Sequence, residues 1–208
     1  MKAVITADIV NSTKIKEDNR YLLIEEINKI IQDLQVLSPL KCEMYRGDSF
    51  QVVVVDVKYS LEIAVLIRLG LKKSNLLERG KLDARMAIGV GDISFEHKQV
   101  ILSDGEAFRL SGRTFELLNK RRLLIATSVD NVNELLNVML AFIDDLVINL
   151  SSTQSRYLYD SLLYNISQVE LANMYNTTQP NIAKHLKSAK ENLFRLFFDF
   201  AEKKLESL

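Results

Sequence analysis

Apolar positions along this chain change their period part-way through. Residues 2–9 form a short, largely apolar run that stops at a polar cluster, the pattern of a buried strand. Over 19–37, Leu23, Ile27, Ile30, Ile31 and Leu34 recur at helical spacing. Residues 41–46 and 49–55 then read as the two strands of a hairpin around Gly47 and Asp48, because glycine accepts the positive φ that a tight hairpin turn demands. Leu61, Val65, Ile67 and Leu71 place a second helix over about 59–77, and LDARMAIGVGDI predicts a strand from 82 to about 91. Within that strand Gly89 and Gly91 predict a close backbone approach or a bulge. GEAFRLSGRTFELLNK predicts a third helix and RRLLIATS a last strand. The order β-α-β-β-α-β-α-β, with an antiparallel hairpin among crossover units, predicts a ferredoxin-like α/β sandwich with its helices on one face of the sheet.

From about residue 130 the strand signals disappear. DNVNELLNVMLAFIDDLVINL predicts a helix that either connects two halves or packs in one of them. The expected fold class is α+β, with an α/β domain over 1–128 and an all-α domain over 129–208. In the second half Ser167 is followed by Glu170, a capping box that starts a helix. That helix should stop near Tyr175, where Asn176 tolerates the left-handed turn that a helix-turn-helix needs. Thr178 is a natural N-cap for the next helix, and Pro180 suits its first turn. Ile182, Leu186, Ala189 and Leu193 would line its inner face. Its outer face would present Asn181, Lys184, Lys187 and Ser188, with Thr178 and Gln179 at the start. Apolar inside with amides and lysines outside is the layout of a DNA recognition helix, lysines meeting phosphate while Gln179 and Asn181 read adenine. An ordinary helical hairpin with a solvated polar face is the competing reading.

Composition narrows the setting. Twenty-seven basic and 27 acidic residues among 208 leave a formal net charge of zero, so any surface that attracts nucleic acid must be local. Cys42 is the single cysteine and has no disulfide partner within the chain, which fits a reducing compartment, and a lone thiol on a strand is expected in the core. Two histidines and one cysteine do not suggest a structural zinc site. No signal peptide is visible and no run approaches the roughly 18 apolar residues of a membrane span, so the expected location is cytoplasmic, with no membrane partner.

Two acids stand at predicted strand ends. In a β-α-β-β order the first strand and the hairpin can be neighbours, which brings Asp8 and Asp48 to one end of the sheet. Two carboxylates close together need a cation or a shared proton, and their oxygens suit Mg²⁺ or Mn²⁺ holding nucleotide phosphates. Asn11, Ser12 and Thr13, which follow Asp8, would add amides and hydroxyls to a phosphate cradle.

ADIVNST, RGDSF, ARMAIGVGDI and DGEAFRLSGRTFELL occur in an order that resembles the class III nucleotidyl cyclases, over about residues 1–126. Within that group the pattern is most similar to the SatD family, which shares an opening GDIVNS-like stretch and a DG-A-F/Y helix. The resemblance implies that Asp8 and Asp48 hold metal, that Asn11, Ser12 and Thr13 wrap a triphosphate, and that Arg113 is the transition-state arginine. It also implies a homodimer, since cyclase sites are built across two chains. The ribose-orienting asparagine of that family falls on Arg109, and its two base-reading positions fall on Met44 and Leu102, which cannot hydrogen-bond a purine edge. Arg109 and Arg113, four apart on one helix, still suit an anionic ligand. The plainer alternative for these residues is that the arginines make surface ion pairs and the acids close a turn and cap a helix. Residues 151–190 resemble the helix-turn-helix of sigma-factor region four, TTQPNIAKHL matching the start of its recognition helix.

These readings combine into a DNA-binding transcription regulator whose degenerate cyclase-like domain binds a nucleotide or phosphorylated ligand and dimerises, its partner being double-stranded DNA. An active metal-dependent cyclase with Arg113 as its catalytic residue, and a protein-interaction module with neither activity, are the alternatives.

Overall fold

The computed structural model describes residues 1–16, 19–45, 47–74, 76–77 and 80–208. Five strands form the main sheet: β1 (Lys2–Val10), β2 (Leu40–Tyr45), β3 (Ser49–Val54), β4 (Asp83–Gly91) and β7 (Leu123–Ala126), in the order β2-β3-β1-β4-β7. β1 pairs antiparallel with β3 and β4, β2 pairs antiparallel with β3, and β7 joins β4 in parallel. The sheet is therefore mixed, in an α+β chain. A two-stranded ribbon, β5 (Ile93–Phe95) with β6 (Asp104–Gly105), stands apart from it.

Helices α1 (Arg20–Leu34) and α2 (Ser60–Lys73) cover one face of the sheet. Every apolar position predicted to face inward from α1, from Leu23 to Leu34, is buried. α2 is buried almost all round, because α5 (Ser152–Tyr164) packs on the side that the sheet leaves bare. A helix apolar on all sides needs such a double cover.

The expectation of helices on one face only is corrected by α3 (Glu106–Glu116), which lies across the opposite face. Val4 and Val53 point that way and pack with Ala107, and Thr6 Oγ1 lies 3.0 Å from Ser111 Oγ. Gly89 makes this possible: a Cβ there would stand 2.2 Å from the Ala107 carbonyl oxygen. The close approach expected at this glycine is thus a helix crossing the strand. Because both faces are covered, β1 buries consecutive residues from Ala3 to Ala7 and reads as an apolar run.

The β7 edge is closed by α4 (Asp130–Asn149). Asn137 accepts from the Ile125 amide at 3.0 Å and donates to the Ile125 carbonyl at 2.8 Å. One turn earlier Asn133 does the same for Thr127, at 2.8 and 2.9 Å. Two side-chain amides so stand in for a neighbouring strand, and the edge offers those groups to no other chain.

After α5 come α6 (Gln168–Met174), α7 (Gln179–Ser188) and α8 (Glu191–Glu206). One cluster of buried apolar side chains runs from Ala3 in the sheet to Leu205 in α8. Leu193 departs from its expected place: α7 ends at Ser188, Lys190 turns left-handed at φ 61°, and Leu193 lies in α8 with its side chain exposed. A period-compatible residue beyond a helix end says nothing about the face it will take.

Candidate functional site

At one end of the sheet, β1 delivers Asp8 between Ser49 of β3 and Arg85 of β4. Asp48 sits in the turn before β3, and its carbonyl accepts from the Ile9 amide at 3.0 Å, so the two acids share that end. Gly47 has φ 80° with open space around it, so the turn needs glycine for its backbone and not for room.

Both carboxylates have partners. Arg85 Nη2 donates to Asp8 Oδ2 at 2.8 Å, and Ser49 Oγ donates to Asp8 Oδ1 at 3.4 Å. Ser12 Oγ donates to Asp48 Oδ2 at 2.8 Å. The Arg85 guanidinium lies 5.5 Å from the centre of the Phe115 ring, which favours the cation from a second side. Ser12, Thr13, Arg20, Gly47 and Asp48 line a cleft of about 120 Å³. That is small beside the roughly 300–1,000 Å³ of a site that encloses a drug-sized ligand, and it suits a phosphate-sized group.

A divalent cation here would draw on oxygens of both acids. Arg85 already neutralises Asp8, and among the described residues no group of three or more His, Cys, Asp or Glu could hold a metal ion. A cation bound by both acids would have to compete with Arg85 for Asp8.

The remaining cradle residues divide. Asn11 adopts φ 68° at the head of the turn Ser12–Lys14, makes no side-chain capping bond there, and donates to the Lys81 carbonyl at 3.1 Å, which commits its amide elsewhere. Arg109 pairs with Asp104 at 3.1 Å near the start of α3, both side chains more than half exposed, an ion pair of small energetic value. Arg113 is exposed one turn further along α3. Burial pushes the Cys42 thiol up to about 12, so it stays protonated and is a poor nucleophile.

The second candidate surface lies on α6 and α7. Ser167 and Glu170 form the expected reciprocal capping box. Asn176 takes φ 49°, and the Thr177 amide reaches back to the Ala172 carbonyl at 2.9 Å, which turns the chain sharply. Thr178 is the N-cap of α7 with Pro180 in its first turn, although the threonine side chain makes no capping bond. Beneath the turn, Tyr157 of α5 meets Tyr175 edge-on at 4.8 Å and His185 of α7 at 5.4 Å. Tyr175 also donates its hydroxyl to Asp160. These contacts fix the angle between the helices on a third one.

Ile182, Leu186 and Ala189 are buried, and Thr178, Gln179, Lys184, Lys187 and Ser188 are exposed. Asn181 is half-buried and donates to Thr177 Oγ1 at 3.0 Å. Gln179 donates to Gln168 at 2.7 Å, and Ser188 accepts from Gln154 at 3.0 Å. Three of the outward polar groups therefore already have partners, whereas Lys184 and Lys187 project from the surface.

Arg85 was missed in the sequence, since only the register of β1 against β4 sets it opposite Asp8. Two cross-strand partners of one acid cannot be read before the strand order is known.

No family model matches the chain. No curated protein matches it either. Among solved structures, it is similar to the active GGEEF domain of a diguanylate cyclase from Vibrio cholerae, at 15% identity and a TM-score of 0.44, over 62% of this chain and 83% of that one. Among the described residues no helix is long and apolar enough to cross a membrane.

Proposed function

We propose that this protein is a DNA-binding regulator that contacts duplex DNA through α7. The observation that carries the reading is the charge of that surface. From Leu171 to Lys190 the chain holds no Asp or Glu, and Lys184, Lys187 and Lys190 are exposed. In a chain of zero net charge, this is a local basic surface on α7 and just after it, which supports reading α7 as the second helix of a helix-turn-helix. Lysines there would meet phosphates, while the start of the helix faces base edges.

The test is binding of mixed-sequence duplex DNA, followed by fluorescence anisotropy over a series of salt concentrations. Each phosphate neutralised contributes about −0.9 to the slope of log K against log salt. Lys184→Ala with Lys187→Ala should flatten that slope by about two. A wild-type protein that binds no duplex at low salt would end the proposal.

A second reading concerns the cleft at the acid end. Thr13 and Arg20 line it together, which gives a phosphate group a hydroxyl and a guanidinium, while Ser12 holds the Asp48 carboxylate at its border. We propose that a nucleotide or other phosphorylated ligand binds there by its phosphate, with Arg85 keeping Asp8 neutralised. Calorimetry with a panel of nucleoside triphosphates, beside Arg20→Ala, tests it: heat that vanishes with Arg20 supports the reading, and no heat from any nucleotide removes it. Such a ligand alters DNA affinity only if the two DNA-binding states differ in their affinity for it.

A further inference from the structure

Helices α4 and α8 leave an apolar face open to solvent. On α4, Leu135, Val138, Met139, Phe142 and Leu146 follow one another at helical spacing on the flank of the buried stripe. On α8, Leu193 and Leu196 continue the same surface, and a groove between the two helices is lined by apolar side chains alone. Phe142 is 70% exposed, Leu196 65% and Val138 60%. Bulky apolar side chains this exposed, side by side and not scattered, mark an interaction surface.

We infer that this α4/α8 face is where a second copy of the chain docks, in a two-fold symmetric dimer. Three features favour that occupant. The first is shape. A two-fold interface uses one patch twice, so the patch must hold both a projection and a receptacle. Phe142 projects at the border of the groove formed by Met139, Ile143, Leu146 and Phe197, and supplies both elements in one place.

The second is charge. α4 carries no Lys or Arg, and its exposed border holds Glu134 and Asp145. α8 carries Lys203 and Lys204 beyond its apolar residues, with Lys204 over the Phe200 ring at 5.6 Å. Laying α4 of one copy against α8 of the other brings the acids of α4 toward Lys203 and Lys204, twice, although α8 also carries Asp199 and Glu202.

The third is area. Leu135, Val138, Phe142, Leu193 and Leu196 together expose on the order of 500 Å² of apolar surface, near the top of the range of about 300–600 Å² for a monomer's largest patch. Each partner of a standard interface buries roughly 800 Å², and in homodimers about 65% of that is apolar. The patch supplies about that share.

The inference stands apart from DNA binding and is tested without DNA. Sedimentation velocity of the full chain over a range of concentrations should show a reversible dimer. Phe142→Glu with Leu196→Glu should shift the dissociation constant up by a hundredfold or more. Both side chains are largely in solvent, so the far-ultraviolet circular dichroism and the urea midpoint of the double variant should match those of the monomeric wild type at high dilution. Phe142→Leu should retain the dimer. A wild-type protein that stays monomeric at 100-fold the usual assay concentration overturns the inference and leaves the face to a partner of another kind. A double variant that dimerises as the wild type does also overturns it, since the interface would then lie elsewhere.

Discussion

Arg68 of α2 donates to Asp144 of α4 at 2.7 Å, and neither side chain has meaningful contact with water. The same guanidinium grips both oxygens of Asp83 in β4, at 2.8 and 3.0 Å. Arg122 also bonds Asp83, and the Arg122 amide donates to Asp144. One buried cation thereby ties the sheet, the helix on its face and the first helix of the second half. Its neighbours hold the Asp83 carboxyl below the usual carboxylate range, although burial alone would raise it.

Arg68→Met should therefore be severe. It leaves Asp144 buried without a guanidinium and Asp83 with Arg122 alone, and breaking a buried pair from one side costs about 3–5 kcal/mol. Urea unfolding at neutral pH should show the loss. Arg68→Met with Asp144→Leu should recover a measurable part of it, because the orphaned charge is gone.

Stability should also fall between mildly acidic and neutral pH on account of Glu62. Burial first, then the nearby Glu202 and Asp199, pushes its carboxyl up to about 7, from an ordinary value of 4.5. Between those two values the folded chain keeps a proton that the unfolded chain has released, so this contribution is full below pH 4.5 and is lost as pH rises to 7. Glu62→Gln should be stabilising at pH 8 relative to pH 4.5 by about 1–2 kcal/mol, after allowance for partial solvent access. Paired thermal melts at the two pH values measure it.

Asn176→Val should destabilise the chain by about 1–2 kcal/mol, because a β-branched residue resists the left-handed φ of 49°. Asn176→Gly should fold as well as the wild type. If the valine also weakens DNA binding in proportion to loss of the turn, the two helices act as one reading unit.

Arg85→Ala should change the acid end from anion-tolerant to cation-binding. With the guanidinium gone, Asp8 and Asp48 are left as a pair of carboxylates that repel unless a cation joins them. Mn²⁺ affinity, followed by calorimetry or electron paramagnetic resonance, should rise about tenfold or more over the wild type and fall again in Arg85→Ala with Asp8→Ala. Equal affinity in all three proteins would show that Arg85 does not guard the site.

If α7 contacts DNA and the α4/α8 face pairs two copies, as proposed, a monomeric variant of that face should bind DNA more weakly than the wild type. Two recognition helices spaced about one duplex turn, roughly 34 Å, apart engage two half-sites, and the second contact is intramolecular. Comparing Phe142→Glu with Leu196→Glu against the wild type, on a single half-site and on a palindrome, separates this from damage to α7.

What the sequence made legible was local. The Ser167 capping box, the Asn176 turn and the inward stripe from Leu23 to Leu34 rest on residues within a turn or two of each other, where propensity and period act directly. Asp8 and Asp48 reached the same end because the order of elements restricts which strands can be neighbours. Arg85 depends on register, and the side taken by α3 depends on which face of β4 its glycine opens. Both are set by contacts between distant segments, as is the exposed position of Leu193 beyond a helix break that no strong stop residue announces.

The burial of α2 on two sides has a consequence for synthesis. Leu66 and Leu69 have no exposure in the finished protein, and α5, which covers the outer side of this helix, is made some eighty residues later. At roughly 5–20 residues per second, a ribosome leaves that side bare for several seconds. During that interval the nascent chain carries an oily helix with nothing of its own to lay on its outer side until α5 emerges.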